Sequence, residues 1–192
     1  MHSLEPFYGW RHLYIASEDD RSPFYGRQNS EVYFTDQIYG YYIHPQWDPI
    51  GSETLYIKQL FTDYDEGFVI LEFIGEWNDC LHNDIMFLKR DIIEPMMEEG
   101  IDKFIIVGEN VLNFHPSDEL YYEEWIDEIE NGWVALLNFR DFIQNEMSAF
   151  GIDQYFVLGG ALEDVRWRTA EPYQLYHKTE RLVQRRIDGP LT

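Results

Sequence analysis

The sequence predicts an α/β protein: a mainly parallel sheet built from successive β–α units, preceded by an antiparallel hairpin and flanked by a β-rich N-terminal extension and a C-terminal helix. Two observations carry this expectation. Short, nearly continuous apolar runs recur at 68–75 (FVILEFIG), 103–108 (KFIIVG), 133–139 (WVALLNF) and 154–158 (QYFVL), the pattern of strands covered on both faces. Between them lie segments whose apolar residues fall on one helical face, and such alternation implies parallel strands joined by crossovers. A chain of 192 residues supports one domain, with a core over 54–158, the extension over 1–53 and the tail over 159–192.

Each element has its own justification. In TLYIKQLFTDYDEGFVILEFIGE (54–76), two β-rich runs flank the turn residues DYDEG, which reads as a hairpin. Asn78 and Asp79 are good N-caps for a helix whose stripe is Leu81, Ile85, Leu88 and Ile92. Pro95 donates no backbone hydrogen bond and crowds the carbonyl of Asp91, so the helix is expected to kink there, or to restart with a last turn at Pro95. Gly100 then closes it. A second helix is expected over 117–130 with Tyr122, Trp125, Ile126 and Ile129 inward. A third is expected over 140–151 with Ile143, Met147 and Phe150 on one side and Gly151 as its stop. Residues 31–44 read as one or two further strands, 44–52 as a loop, and about 172–187 as a helix. Residues 1–30 show no clear period.

The composition is too aromatic, at 17%, for a disordered chain. A formal charge of −22 repels phosphate backbones and anionic lipid heads, which argues against nucleic acid and membrane partners and leaves basic proteins, cations or neutral small molecules. The charge is uneven: residues 161–192 hold six Lys/Arg against five Asp/Glu and sum to +1, leaving −23 for residues 1–160. Such a tail is expected to dock on the acidic body of its own or a second subunit. Cys80 is the only cysteine, so no disulfide within the chain is possible. With no apolar run near the roughly 20 residues that span a bilayer, a soluble, reducing, cytoplasmic setting is expected.

The order of elements resembles the STAS domain, the fold of anti-sigma-factor antagonists. In that family the first parallel strand often ends in a Gly-Glu-Leu-Asp-like run, here Gly75-Glu76-Trp77-Asn78-Asp79. The second ends in a loop of the type Asp-Ser-Ser-Gly-Leu, here His115-Pro116-Ser117-Asp118-Glu119-Leu120. The resemblance covers roughly 54–158 and implies a regulatory interaction module with a phosphorylatable serine at Ser117. Glu119 stands near the place of the family's small Gly, a departure that touches function more than fold.

Read chemically, the junction at 115–118 allows two roles. A helix N-terminus favours an anion, so Ser117 is a candidate switch, although Asp118, Glu119, Glu123 and Glu124 would oppose a phosphate there. Equally, Ser117 or Asp118 can simply cap the helix. His115 and Asp118 project from the carboxyl end of a strand, where open α/β sheets bind ligands, and are the candidates for an enzymatic alternative. His44, Asp48, His82 and Asp84 also fall near element ends, but no His-x3-His or His-Glu-x2-His pair is present, so neither a metal nor a cofactor is expected. Trp47 and Trp77 read as loop residues near Tyr41 and Tyr42. They form either an exposed aromatic recognition patch or a surface covered by the N-terminal segment. The expectation is a non-enzymatic interaction or regulatory module with an acidic face over 117–130. The alternative is a small-molecule or metal-dependent enzyme around His115 and Asp118.

Overall fold

A computed structural model describes residues 2–34, 36–187 and 189. Met1, Thr35, Asp188 and residues 190–192, parts of the expected extension and tail, lie outside the described residues. The strands β1 (His2–Leu4), β2 (Gln37–Ile38) and β3 (Tyr41–Ile43) make a small sheet in the order β1-β3-β2. The strands β4 (Asp48–Pro49), β5 (Leu55–Asp63), β6 (Phe68–Asn78), β7 (Lys103–His115) and β8 (Trp133–Leu137) make the main sheet, adjacent in that order. Pairs β4/β5 and β5/β6 are antiparallel, and β6/β7 and β7/β8 are parallel, so the sheet is mixed.

The expected hairpin is β5–β6. Its turn is fixed by Asp63, whose Oδ1 accepts from the amides of Asp65 (2.9 Å) and Glu66 (2.8 Å). The strand expected at 154–158 is reduced to one parallel bridge, Ala135 to Val157, after a 3-10 turn at Ile152–Tyr155. The 3-10 turn takes Gln154 and Tyr155 from this run and Gly159, at positive φ, ends it, so three residues remain for pairing.

The first crossover departs from a single amphipathic helix. Asn83 adopts the left-handed conformation (φ 54°) and separates α1 (Asp79–His82) from α2 (Asp84–Phe87). A π-helical stretch, Leu88–Ile93, leads into α3 (Glu94–Glu98). There the amide of Glu94 reaches back five residues to the Lys89 carbonyl, and Pro95 falls in the first turn of α3, where its missing N–H costs little. Ile85, Leu88 and Ile92 are fully buried, but Leu81 is 79% exposed, because the break at Asn83 turns it off the stripe. The later helices are α4 (Leu120–Glu128), α5 (Asp141–Ala149) and α6 (Pro172–Ile187). Phe150, expected inward, is exposed, since it sits at the C-cap of α5, past the last helical turn.

Alternation along the strands sends side chains to two cores. Val69, Leu71 and Phe73 of β6, with Phe104 and Ile106 of β7, face Ile85, Tyr122, Trp125, Ile143 and Met147 of the crossover helices. Phe68 and Ile70, with Ile105 and Val107, face the opposite side, which is covered by Trp10, Trp167, Leu175, Tyr176 and Val183. The aperiodic N-terminal segment and the tail thus form a third layer. Phe68 and Tyr176 stack with centroids 4.1 Å apart. The tail docks on its own chain: Arg186 donates to the carbonyls of Leu158 and Gly159, and Arg168 pairs with Glu109 at 2.5 Å. No helix among the described residues is long and apolar enough to cross a membrane.

Candidate functional site

Strands β6 and β7 run to a common rim, in register from Glu76 and Asn113 to Asn78 and His115. Gly75 (φ 108°) permits the bulge just before this point; a Cβ there would lie 2.0 Å from the Thr54 carbonyl. Beyond the bulge, Trp77 and Phe114 turn into the core with rings 5.5 Å apart. Glu76, Asn78, Asn113 and His115 form a polar cluster. Glu76 Oε1 accepts from Asn78 Nδ2 (2.6 Å) and lies 3.5 Å from His115 Nε2, which in turn meets Asn113 Nδ2 at 2.9 Å. Tyr39, in the turn of the small sheet, donates its hydroxyl to Glu76 Oε2. That bond to a carboxylate raises the Tyr39 phenol above its ordinary pKa.

The helix after the rim starts at Leu120, three residues later than expected at Ser117. Pro116 is buried, and its carbonyl accepts from the Cys80 thiol at 2.7 Å. Asp118 Oδ1 accepts from the Leu120 amide (3.1 Å), so the local turn is made by Asp118. Ser117 is exposed and makes no side-chain hydrogen bond among the described residues. Glu119 reaches away to Gln154 and Tyr155. His115 and Asp118 engage different groups: His115 turns to Glu76 and Asn113, Asp118 to its own helix start.

Behind the rim lies a pair of carboxylates with roles the sequence did not reveal. Asp79 accepts from Trp77 Nε1 (3.1 Å), the Ile85 amide (2.9 Å) and the Tyr122 hydroxyl (2.5 Å). Burial nevertheless pushes its pKa up to about 7. Asp84 Oδ2 accepts from the Asn78 amide at 2.7 Å, while its Oδ1 is buried with no hydrogen-bond partner among the described residues. Burial raises this pKa too. The sequence offered Asp79 only as a cap, because nothing in the local pattern announces that Tyr122, 43 residues on, will reach it.

The other metal candidates are dispersed. His44 lies 3.7 Å from Glu5, Asp48 pairs with Lys58 at 3.0 Å, and His82 lies 3.9 Å from Glu53. Among the described residues, the acidic groups close enough to share an ion are Glu94, Glu124 and Glu128. That place already has its cation: the buried Lys89 ammonium lies 2.9 Å from Glu94, 2.6 Å from Glu128 and 4.0 Å from Glu124.

Of the two readings of Trp47 and Trp77, burial holds. Trp77 lies in β6 rather than a loop and is 0% exposed. Trp47 is 2% exposed within the small core of Ile38, Ile43, Tyr56 and Ile74, and its Nε1 donates to the Leu4 carbonyl at 2.8 Å. The exposed aromatic residues of this region are instead Tyr33, Phe34, Tyr39 and Tyr42. Phe34 bridges Tyr42 (6.0 Å) and His44 (5.3 Å), edge-on to both. Phe34 and Tyr42 thus make an exposed aromatic ridge at the small sheet, and Tyr39, in the turn between β2 and β3, bonds to the rim.

The chain matches no protein-family model, and no curated protein matches its sequence.

Proposed function

We propose that this chain is a non-enzymatic, cytoplasmic protein-interaction module of regulatory character, and that it meets its partner with the aromatic ridge beside the rim. The observation that carries the reading is the Phe34–Tyr42 pair, with Tyr33 and Tyr39 close by in sequence, all four left in solvent although the chain buries six tryptophans. Exposed aromatic residues grouped on one face are what protein interfaces are enriched in. The acidic surface selects a basic or polar partner and speeds its approach.

The regulatory part of the proposal rests on Ser117, exposed in the loop between β7 and α4, and on the hairpin and parallel strands that resemble the antagonist fold. A phosphate there adds nearly two negative charges next to Asp118 and Glu119, and so strengthens capture of a basic partner or reshapes the loop. The test is affinity capture with the wild type, with Tyr33→Ala/Phe34→Ala/Tyr42→Ala and with Ser117→Asp. The reading expects a specific partner lost with the triple variant and altered in yield with Ser117→Asp. Identical capture by all three proteins defeats it.

A further inference from the structure

A cavity of about 350 Å³ opens between the N-terminal segment and β5, lined by Trp10 and Leu60 of one core and Phe24 of the other. Trp10, Phe24 and Leu60, all buried, give it an apolar floor. Beside that floor lies the Lys58–Asp48 ion pair (3.0 Å). Asp48 also accepts from Asn29 Nδ2 at 2.6 Å, so each of its oxygens has a donor. Lys58 donates in addition to the Gln46 carbonyl (2.8 Å), which leaves one of its three N–H groups uncommitted. Arg11 and Glu31 also line the cavity, both exposed and in no ion pair among the described residues.

The charges around the cavity balance, with Arg11, Arg27 and Lys58 against Glu5, Glu31 and Asp48, in a chain whose net charge is −22. A simple anion would enter against the field of the whole molecule, and a simple cation would leave the Arg11 guanidinium unanswered, since Asp48 already answers the charge of Lys58. A net-neutral ligand carrying one charge of each sign avoids both costs. The apolar floor takes a ring, and the volume lies in the range of small-ligand sites.

From this we propose that the cavity is a binding site for a small aromatic zwitterion of the aromatic amino acid class. Its ring packs on Trp10 and Phe24, its carboxylate meets Arg11 and the free N–H of Lys58, and its ammonium group meets Glu31. The cavity adjoins the ridge through His44, which lines it and meets Phe34, but shares none of the ridge's Tyr and Phe residues, and the inference goes beyond the interaction reading without depending on it.

Calorimetric titration of the full chain with L-phenylalanine, L-tyrosine and L-tryptophan tests it, with tyramine and 4-hydroxyphenylacetate as comparators that each lack one charge. The inference expects one-site saturable binding of at least one amino acid, weaker by about tenfold or more for both comparators and in Arg11→Ala and Glu31→Ala, a loss of about 1.4 kcal/mol each. Both substitutions are at exposed positions, so the fold survives them. No saturable binding of any of the three at millimolar concentration overturns the proposal. Comparators that bind as well as tyrosine, or variants that bind unchanged, overturn it equally.

Discussion

The hydroxyl of Tyr122 on α4 donates to Asp79 Oδ2, at the start of α1, across 2.5 Å in a place closed to water. This bond, with those from Trp77 Nε1 and the Ile85 amide, locks the end of β6 to α2 and α4. Removing the donor alone strands a buried carboxyl oxygen. Tyr122→Phe is therefore expected to cost about 1–3 kcal/mol, read by urea denaturation. A cost below a few tenths of a kcal/mol would mean that the bond contributes little.

The same carboxyl predicts a pH dependence. Burial raises Asp79 from its ordinary 3.8 to about 7, and burial raises Glu72 from 4.5 to about 7. Between the ordinary and the folded value, the folded chain keeps a proton that the unfolded chain has released. Stability from these groups is then greatest below about pH 4 and is lost as pH rises towards 7. Asp63 and Glu94, whose folded values are lowered, act the other way, and their contribution is lost in more acidic solution. The melting temperature is expected to be several degrees higher at about pH 5.5 than at about pH 8, with Asp79 and Glu72 contributing on the order of 2 kcal/mol each. Asp79→Asn or Glu72→Gln should flatten the profile, and a wild-type profile that rises between these pH values would contradict the assignment.

Lys89 supplies a second test. Its buried ammonium holds Glu94, Glu124 and Glu128 together, so Lys89→Met leaves three carboxylates with Arg90, which pairs with Glu94 and Glu124, as their remaining cation. Because those carboxylates are partly exposed, the expected loss is roughly 1–3 kcal/mol rather than the full penalty of an unpaired buried charge. Millimolar calcium or manganese should restore part of the lost melting temperature in the variant and leave the wild type unmoved. Equal stability of variant and wild type would remove the network from the account.

The broken first crossover makes a contrast on one short stretch. Leu81→Asp, at an exposed position, should change stability by no more than about 0.5 kcal/mol. Ile85→Ala, four residues on and fully buried, should cost about 2–5 kcal/mol. Similar costs at both sites would mean an unbroken helix through Asn83.

The periodic parts of the fold were legible in the sequence. The β5–β6 hairpin and the strands of the two parallel pairs announce themselves through apolar runs, because each buries a regular face. What was not legible depends on single residues or distant partners. Leu81 matches the stripe by spacing, yet Asn83 takes a left-handed turn that spacing alone does not reveal. The run at 154–158 has strand composition but only three residues between the 3-10 turn and Gly159. Residues 1–30 carry no period because they cover the sheet with isolated anchors, Trp10 and Phe24. At the candidate site, β7 ends at His115. Its true neighbours, Glu76 and Tyr39, come from another strand and from the small sheet. Trp47 and Trp77 looked like recognition residues because their strand context was too short or too polar to read.

The ridge is tested most directly by site-specific photo-crosslinking in the source cell, with a benzophenone side chain placed at Tyr42 and, in a second protein, at Asn145 on the exposed side of α5. The interaction reading predicts a discrete crosslinked partner from position 42 that is absent from position 145 and is suppressed by Phe34→Ala. Equal or absent crosslinking at the two positions would contradict it.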